Sequence, residues 1–415
     1  MSKTADPSET RPKEDFDKTL RTSADRRGFI IASVGLGLLT AHSGAPSSLF
    51  PLYTEQWGLT PLEISLVFAV YIIGLIATSL ATGSLSDHIG RRPLALVSLF
   101  FAAASMAVLA LADNFGDLVF ARLLQGFASG LGFGTLGAAM LDFTPPGGHT
   151  RVATINAALP PTCMGLGALL SGVCAEFLPH PLQLPYLILF IALLLALIAT
   201  LTLKEKHPRR PGGMKSLIPK LAVPRDARPR FVLAASVLSA SWALGGLYMG
   251  IGPNVSKTIL GIQSPALGAV AILAVTISGA LTGIVTARLK GEMVMIIGSV
   301  ALLAGAGGIA MAAALSTTVL YFAASVVGGI GFGASFQGGL RTVLEGLAPR
   351  QRGGTISSLY FIAYLAFGVP TLAAGLVIPK VGLLPVFYGY AAFVALLGFV
   401  ALTLLLIGRT TERHP

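Results

Sequence analysis

Twelve apolar runs alternate with short polar connections along the chain, at about 28–53, 62–85, 93–112, 117–143, 152–178 and 184–203, then 231–256, 265–288, 293–314, 317–344, 355–379 and 383–407. Each run is about as long as the 20 or so apolar residues that cross a bilayer as a helix. The pattern predicts an all-α integral membrane protein with 12 transmembrane helices.

Composition agrees with the pattern. Of 415 residues, 54% are hydrophobic and 11% charged, where a soluble domain carries about 25% charged residues, and this excludes an ordinary soluble enzyme. The net charge of +11 would suggest nucleic acid in a soluble chain, but the location of the basic residues reads as topology instead, so no nucleic-acid partner is expected. With both termini cytoplasmic, the outer connections contain only Lys257 and Lys380 as basic residues and carry Glu55, Glu63, Asp113 and Asp117, which obeys the positive-inside rule. Tyr53, Trp57 and Tyr321 fall where an interfacial aromatic belt would lie.

The chain therefore divides into a cytoplasmic tail (1–27), a first six-helix bundle (28–203), a basic cytoplasmic linker (204–230), a second six-helix bundle (231–407) and a short cytoplasmic tail (408–415). The linker holds nine Lys or Arg against Glu205 and Asp226, and is broken by Pro and Gly. The N-terminal stretch has no short apolar core with a cleavage site, so it reads as a tail rather than a signal peptide. Short loops and the lack of a signal peptide point to a multi-pass protein of a bacterial inner membrane. Cys163 and Cys174 share one apolar run, which leaves no ligand set for a metal cluster and no disulfide framework. No metal or other cofactor is expected.

The two bundles look like copies. Gly130-Leu-Gly-Phe-Gly134 in the fourth run recurs as Gly329-Ile-Gly-Phe-Gly333 in the tenth, each followed by a basic turn at Arg151 or at Arg350 and Arg352. Gly83 at the end of the second run is echoed by Gly283 at the end of the eighth. A parallel six-plus-six duplication places a substrate site between the halves, near the membrane midplane.

Between the second and third runs lies Gly83-Ser-Leu-Ser-Asp87-His-Ile-Gly90-Arg91-Arg92-Pro93, a short turn with one acid and two arginines. Gly83 and Gly90 permit close helix approach and a tight turn, and Asp87 can accept from an arginine or from the amides of a helix N-terminus. This loop resembles the signature loop of the major facilitator superfamily, with His88 where Arg or Lys is usual. The resemblance covers roughly residues 28–407. It implies that Gly83, Asp87, Gly90, Arg91 and Arg92 form a conformational gate, Asp87 meeting the start of the eleventh span near Gly353 to Thr355 when the cytoplasmic side closes. A topogenic basic loop is the alternative.

Arg122-Leu-Leu-Gln125-Gly126 is similar to a second pattern of that family, in which the arginine is linked to proton coupling. A guanidinium in hydrocarbon is costly and usually faces a cavity or a partner, although a structural arginine bonded to carbonyls would also fit. The fifth run keeps Gly167 and Gly172 of the drug-antiporter pattern but has Cys163, Ala168 and Ser171 where that pattern has glycine or proline.

Arg122, His42 and Asp142 are the proton-coupling candidates. His42 is the titratable residue nearest the middle of the first run, its ordinary pKa near 6.5 suits a proton carrier, and a neutral packing histidine is the alternative. Candidate substrate contacts are His42, Gln125, Asn156, Trp242, Tyr248, Asn254, Gln337, Tyr360 and Tyr364, although aromatic residues in spans also serve packing. Arg341 and Glu345, spaced to share one helix face, form a candidate second gate. Pro160-Pro161, Gly250 to Asn254 and Gly368 to Pro370 interrupt their runs as hinges would.

No Asp or Glu lies near the middle of a run. A buried carboxylate would favour organic cations, so Arg122 and His42 instead favour a neutral, zwitterionic or anionic amphiphile. These observations suggest a monomeric secondary transporter whose partners are a small molecule, protons and the lipid bilayer, exporting a drug or metabolite. An importer or facilitator of a small organic acid or sugar is the second reading. An intramembrane enzyme would need a zinc helix, a Walker loop or a nucleophile elbow, and the chain has none of these motifs; a receptor would bind without moving its ligand.

Overall fold

The structure is a computed structural model describing residues 11–82, 85–144, 148–206 and 221–413. Among the described residues all regular structure is helical. In order, the helices are α1 (Arg11–Gly44), α2 (Phe50–Trp57), α3 (Pro61–Thr82), α4 (Ser86–Ile89), α5 (Arg91–Leu111), α6 (Phe115–Asp142), α7 (His149–Phe177) and α8 (Leu184–Leu201). After the linker come α9 (Arg228–Gly246), α10 (Gly252–Thr258), α11 (Pro265–Val285), α12 (Gly291–Ala314), α13 (Thr318–Leu344), α14 (Pro349–Val381) and α15 (Leu383–Arg413). Eleven stretches among the described residues are long and apolar enough to cross a membrane. Helix α6 is comparably long, at 28 residues, but its glycines, Gln125 and Arg122 dilute its apolar character. Helix α1 begins at Arg11, inside the segment whose composition reads as a polar tail.

Two spans are broken where the sequence interrupts them. Pro46 and Pro51 bracket a 3-10 turn, Ser47–Leu49, between α1 and α2. Between α9 and α10, residues Leu247–Ile251 wind as a π turn, and Pro253, which lacks an N–H, sits in the first turn of α10 where none is needed. Pro160 and Pro161 stay inside α7, and Pro370 and Pro379 inside α14.

The repeated glycines make the same crossings twice. A Cβ on Gly130 would lie 2.8 Å from the Leu75 carbonyl oxygen of α3, and one on Gly132 2.2 Å from Ser98 of α5. In the second half, a Cβ on Gly329 would lie 2.4 Å from the Val275 carbonyl of α11, and one on Gly331 2.7 Å from the Leu302 amide of α12. Small residues let backbones approach, so α6 is pressed between α3 and α5, and α13 between α11 and α12.

One apolar core gathers Leu39, Phe68, Leu99 and Tyr186; a second gathers Leu244, Tyr248, Leu302 and Phe387. Helix α7 packs on α11, and α3 on α14, joining the two sets. The chain's described ends lie on one face, called here the tail face, where Lys206 pairs with Asp25 and the end of α15 packs on the start of α12. On the opposite face two polar links cross between the halves. Lys257 pairs with Glu55, and Glu176 at the end of α7 accepts from the Ser264 hydroxyl and, at 3.1 Å, from the Ala266 amide at the start of α11.

Candidate functional site

Arg122 lies on the second turn of α6, about 10 Å along the helix from its start, and is fully buried. Its guanidinium is held by polar groups without charge. Nε donates to the Val67 carbonyl at 3.1 Å, and one terminal nitrogen donates to Gln125 Oε1 at 2.7 Å and to the Ser43 carbonyl at 3.4 Å. The cationic carbon lies 4.4 Å from the centre of the Tyr71 ring, a cation–π contact. Gln125 in turn donates to the His42 carbonyl at 2.7 Å, so its side chain is taken up at both ends.

The His42 ring joins this cluster and is also fully buried. Its Nδ1 bonds to the Leu39 carbonyl, which can only accept, so Nδ1 carries the hydrogen and Nε2 is the lone-pair nitrogen. Nε2 is buried and has no hydrogen-bond partner in the protein. Ser43 ties the group together, its hydroxyl lying 3.3 Å from His42 Nδ1 and 3.1 Å from the Ser129 hydroxyl. Arg122, Gln125 and His42 thus form one buried cluster between α1, α3 and α6. Asp142 does not join it, because it stands at the far end of α6, about 30 Å away along the axis.

Asp142 belongs instead to the tail face, where its carboxylate meets Arg91 Nε at 3.0 Å. Gly90 precedes α5 with φ of 101°, a backbone state open to glycine, and a Cβ there would lie 2.6 Å from the Glu205 carboxylate. Glu205 accepts from the Arg92 amide at 2.8 Å while the Arg92 side chain donates to the Leu201 carbonyl at 2.7 Å. The start of the linker is therefore stitched onto the signature loop. Gly83 and the side chain of Asp87 lie outside the described residues.

Arg341 and Glu345 stand one turn apart at the end of α13. Helix α13 ends at Leu344 with Glu345 as its cap, the Glu345 amide donating to the Arg341 carbonyl at 3.1 Å, while the Arg341 side chain donates to the Thr286 and Ala287 carbonyls at 3.0 and 3.1 Å. Tyr248 is buried in the second core, its ring stacked on Tyr321 and its hydroxyl 2.8 Å from Ser325. Asn156 donates to the Gly137 carbonyl at 3.1 Å and leaves its Oδ1 buried without a partner. Gln337 lies along Gly283, and Asn254 is half-buried in α10. Trp242, Tyr360 and Tyr364 come together in one aromatic group with Phe332, Phe336 and Phe367. Among the described residues no group of three or more His, Cys, Asp or Glu could hold a metal.

A sequence model of the Major Facilitator Superfamily matches residues 32–370. The chain belongs to this superfamily. Its members are transporters rather than enzymes, and the all-helical membrane fold is theirs. The multidrug resistance protein MdtL of Klebsiella pneumoniae is 22% identical over 349 residues, 81% of this chain and 85% of that one. The protein of the same name in Shewanella sp. strain ANA-3 is 40% identical over 82 residues, and the match spans a fifth of that relative's length. The crystal structure of a bacterial homologue of the human lysosomal transporter Spinster, inward-facing and occupied, superposes with a TM-score of 0.71 at 14% identity, covering 92% of this chain and 96% of that one.

Several residues of this superfamily member's polar clusters give little sign of themselves in sequence. Ser43, Tyr71 and Ser129 surround Arg122, and Glu205 and Glu176 anchor loops, yet each is an ordinary residue of its segment. Phe332 and Phe336 were findable, since Phe332 is the aromatic residue of the repeated glycine motif and Phe336 stands one turn beyond it.

Proposed function

We propose that this superfamily member is a proton-coupled exporter of small organic molecules across a bacterial inner membrane, with the tail face cytoplasmic. Substrate binds between residues 28–203 and 231–407, and the two bundles rock about it by alternating access. The observation that carries the reading is the buried Arg122 cluster, in which a fixed positive charge shares a hydrogen-bond network with His42 and the histidine's Nε2 is unengaged. A proton arriving at Nε2 sets a second cation beside the guanidinium in a poorly screened interior, where charge repulsion is strong. That repulsion loosens the Arg122 contacts with α1 and α3 and favours the alternative arrangement. An acceptor on the substrate relieves it, which fits a neutral, zwitterionic or anionic amphiphile.

The signature loop, with Gly83, Asp87, Gly90, Arg91 and Arg92, is the cytoplasmic gate in this reading, and the names of the MdtL relatives support drug export. Inside-out vesicles containing the protein test it: once energised, they should release protons on addition of an exported antibiotic, dye or organic acid, and an Asp87→Asn control should not. Proton flux in neither direction, together with uptake of a sugar or organic acid by whole cells, would establish the importer instead.

A further inference from the structure

Five aromatic rings of the second half form a wall whose members are only half-buried although they stand near the middle of their membrane-length stretches: Trp242 on α9, Phe332 and Phe336 on α13, and Tyr360 and Tyr364 on α14. Tyr360 and Tyr364, one helical turn apart, lie nearly parallel, with centroids 5.8 Å apart and planes 23° from each other. Trp242 stands almost perpendicular to both, at 6.3 and 4.9 Å. The wall faces the partition between the halves rather than lipid. Trp242 and Tyr364 pack on the first half's core, and Phe367, one turn beyond Tyr364, lies 5.0 Å from Phe68 of α3.

The indole Nε1 of Trp242 is buried without a hydrogen-bond partner. A buried indole N–H ordinarily finds an acceptor, because leaving one unmade costs a desolvated donor. Here the surroundings are rings. The donor thus lacks an acceptor, which the protein does not supply, beside a face on which a flat ring system can stack.

We infer that this wall is the subsite for a planar aromatic portion of the substrate, which stacks along Tyr360 and Tyr364 and presents a carbonyl or carboxylate oxygen to Trp242 Nε1. This rests on the transporter reading for its setting between the halves, and narrows the substrate to a class. Each ring contact favours aromatic over saturated surface, while a hydrogen-bond acceptor is required by the indole donor. An organic cation that carries no acceptor could use the ring faces but offers the donor nothing.

The chain has two tryptophans, Trp57 and Trp242, so a Trp57→Phe variant reports on Trp242 alone. Purified in detergent, it should show saturable quenching by 2-naphthoate. The dissociation constant should be at least about fivefold tighter than for decahydro-2-naphthoate, which keeps the charge and the bicyclic frame but loses the aromatic faces, as one or two aromatic contacts would give. Tyr364→Leu should remove most of that preference and Tyr364→Phe should retain it. Equal binding of the saturated analogue, tighter binding of 2-naphthyltrimethylammonium, or no saturable quenching would each overturn the inference. The measurement needs no gradient, so it fails separately from the transport reading: vesicle proton flux driven by compounds that leave Trp242 fluorescence unchanged would keep the transporter and remove this subsite.

Discussion

Glu176 offers a way to move the conformational balance without touching either buried cluster. Its carboxylate accepts from the Ser264 hydroxyl and the Ala266 amide at the start of α11, so a charge from the first half satisfies the positive end of a helix in the second. The group is exposed to solvent. Two charge-assisted hydrogen bonds would be worth several kcal/mol if desolvated, but exposure and screening reduce such a link to about 1 kcal/mol. Because the contact exists only while the opposite face is closed, Glu176→Ala withdraws that energy from the closed arrangement alone, shifting the equilibrium toward opening by about fivefold. Spin labels at Gln56→Cys and Gln263→Cys, in a background lacking Cys163 and Cys174, report the gap on that face. The variant should raise the population of the long distance about fivefold, and Glu176→Gln, which keeps an acceptor, should fall between. A distance distribution identical to the parent's would refute the reasoning that this contact holds the face shut.

Three further outcomes follow from the geometry. Arg122→Ala strands Gln125 and two carbonyls but removes a costly buried charge, so thermal stability should change by no more than about 2 kcal/mol while substrate-driven proton flux is lost; a flux with the parent's pH dependence would deny Arg122 its role. Gly90→Ala meets both a left-handed backbone and the Glu205 carboxylate, and should cost about 1–2 kcal/mol in thermal unfolding, visible as a lowered melting temperature. Gly333 and Gly134 occupy matching places in the repeated motif, yet a Cβ on Gly333 would lie 1.9 Å from the Gly279 carbonyl and one on Gly134 meets nothing within 4 Å; Gly333→Ala should lose about 1–3 kcal/mol and Gly134→Ala should be neutral, as measured by unfolding in detergent.

The membrane fold was legible because bilayer thickness imposes a length on every span, and that length shows in the apolar runs. The close crossings were legible too, since Gly130 and Gly329 recur in one local pattern. Arg122 stood out as a charge inside hydrocarbon, and its pairing with Gln125 is a spacing along one helix. What joins it to His42 is a backbone carbonyl on another helix, which no side-chain pattern records. The partners of the Arg341 side chain are hidden for a related reason: they are the backbone carbonyls of Thr286 and Ala287, which packing brings to it. Glu176 was invisible as a helix cap, because the amide it satisfies is brought to it by packing between the halves.

One turn of α3 ties the Arg122 cluster to the second half. Val67 gives its carbonyl to Arg122, and Tyr71 lies under the guanidinium. From that turn, Phe68 reaches across to Phe367, and Ile72 fills the space beside Gly368, where a Cβ would lie 2.8 Å from it. The helix interior is close-packed and the turn is stiff, so these four residues move as a body. A change in the charge held at Arg122 that draws Val67 and Tyr71 therefore displaces Phe68 and Ile72 against α14, the helix that carries Tyr360 and Tyr364. In the proposed mechanism, direct relief by the substrate is then not the sole link between proton and substrate, since a single turn with its two faces on the two clusters would carry the state of one to the other.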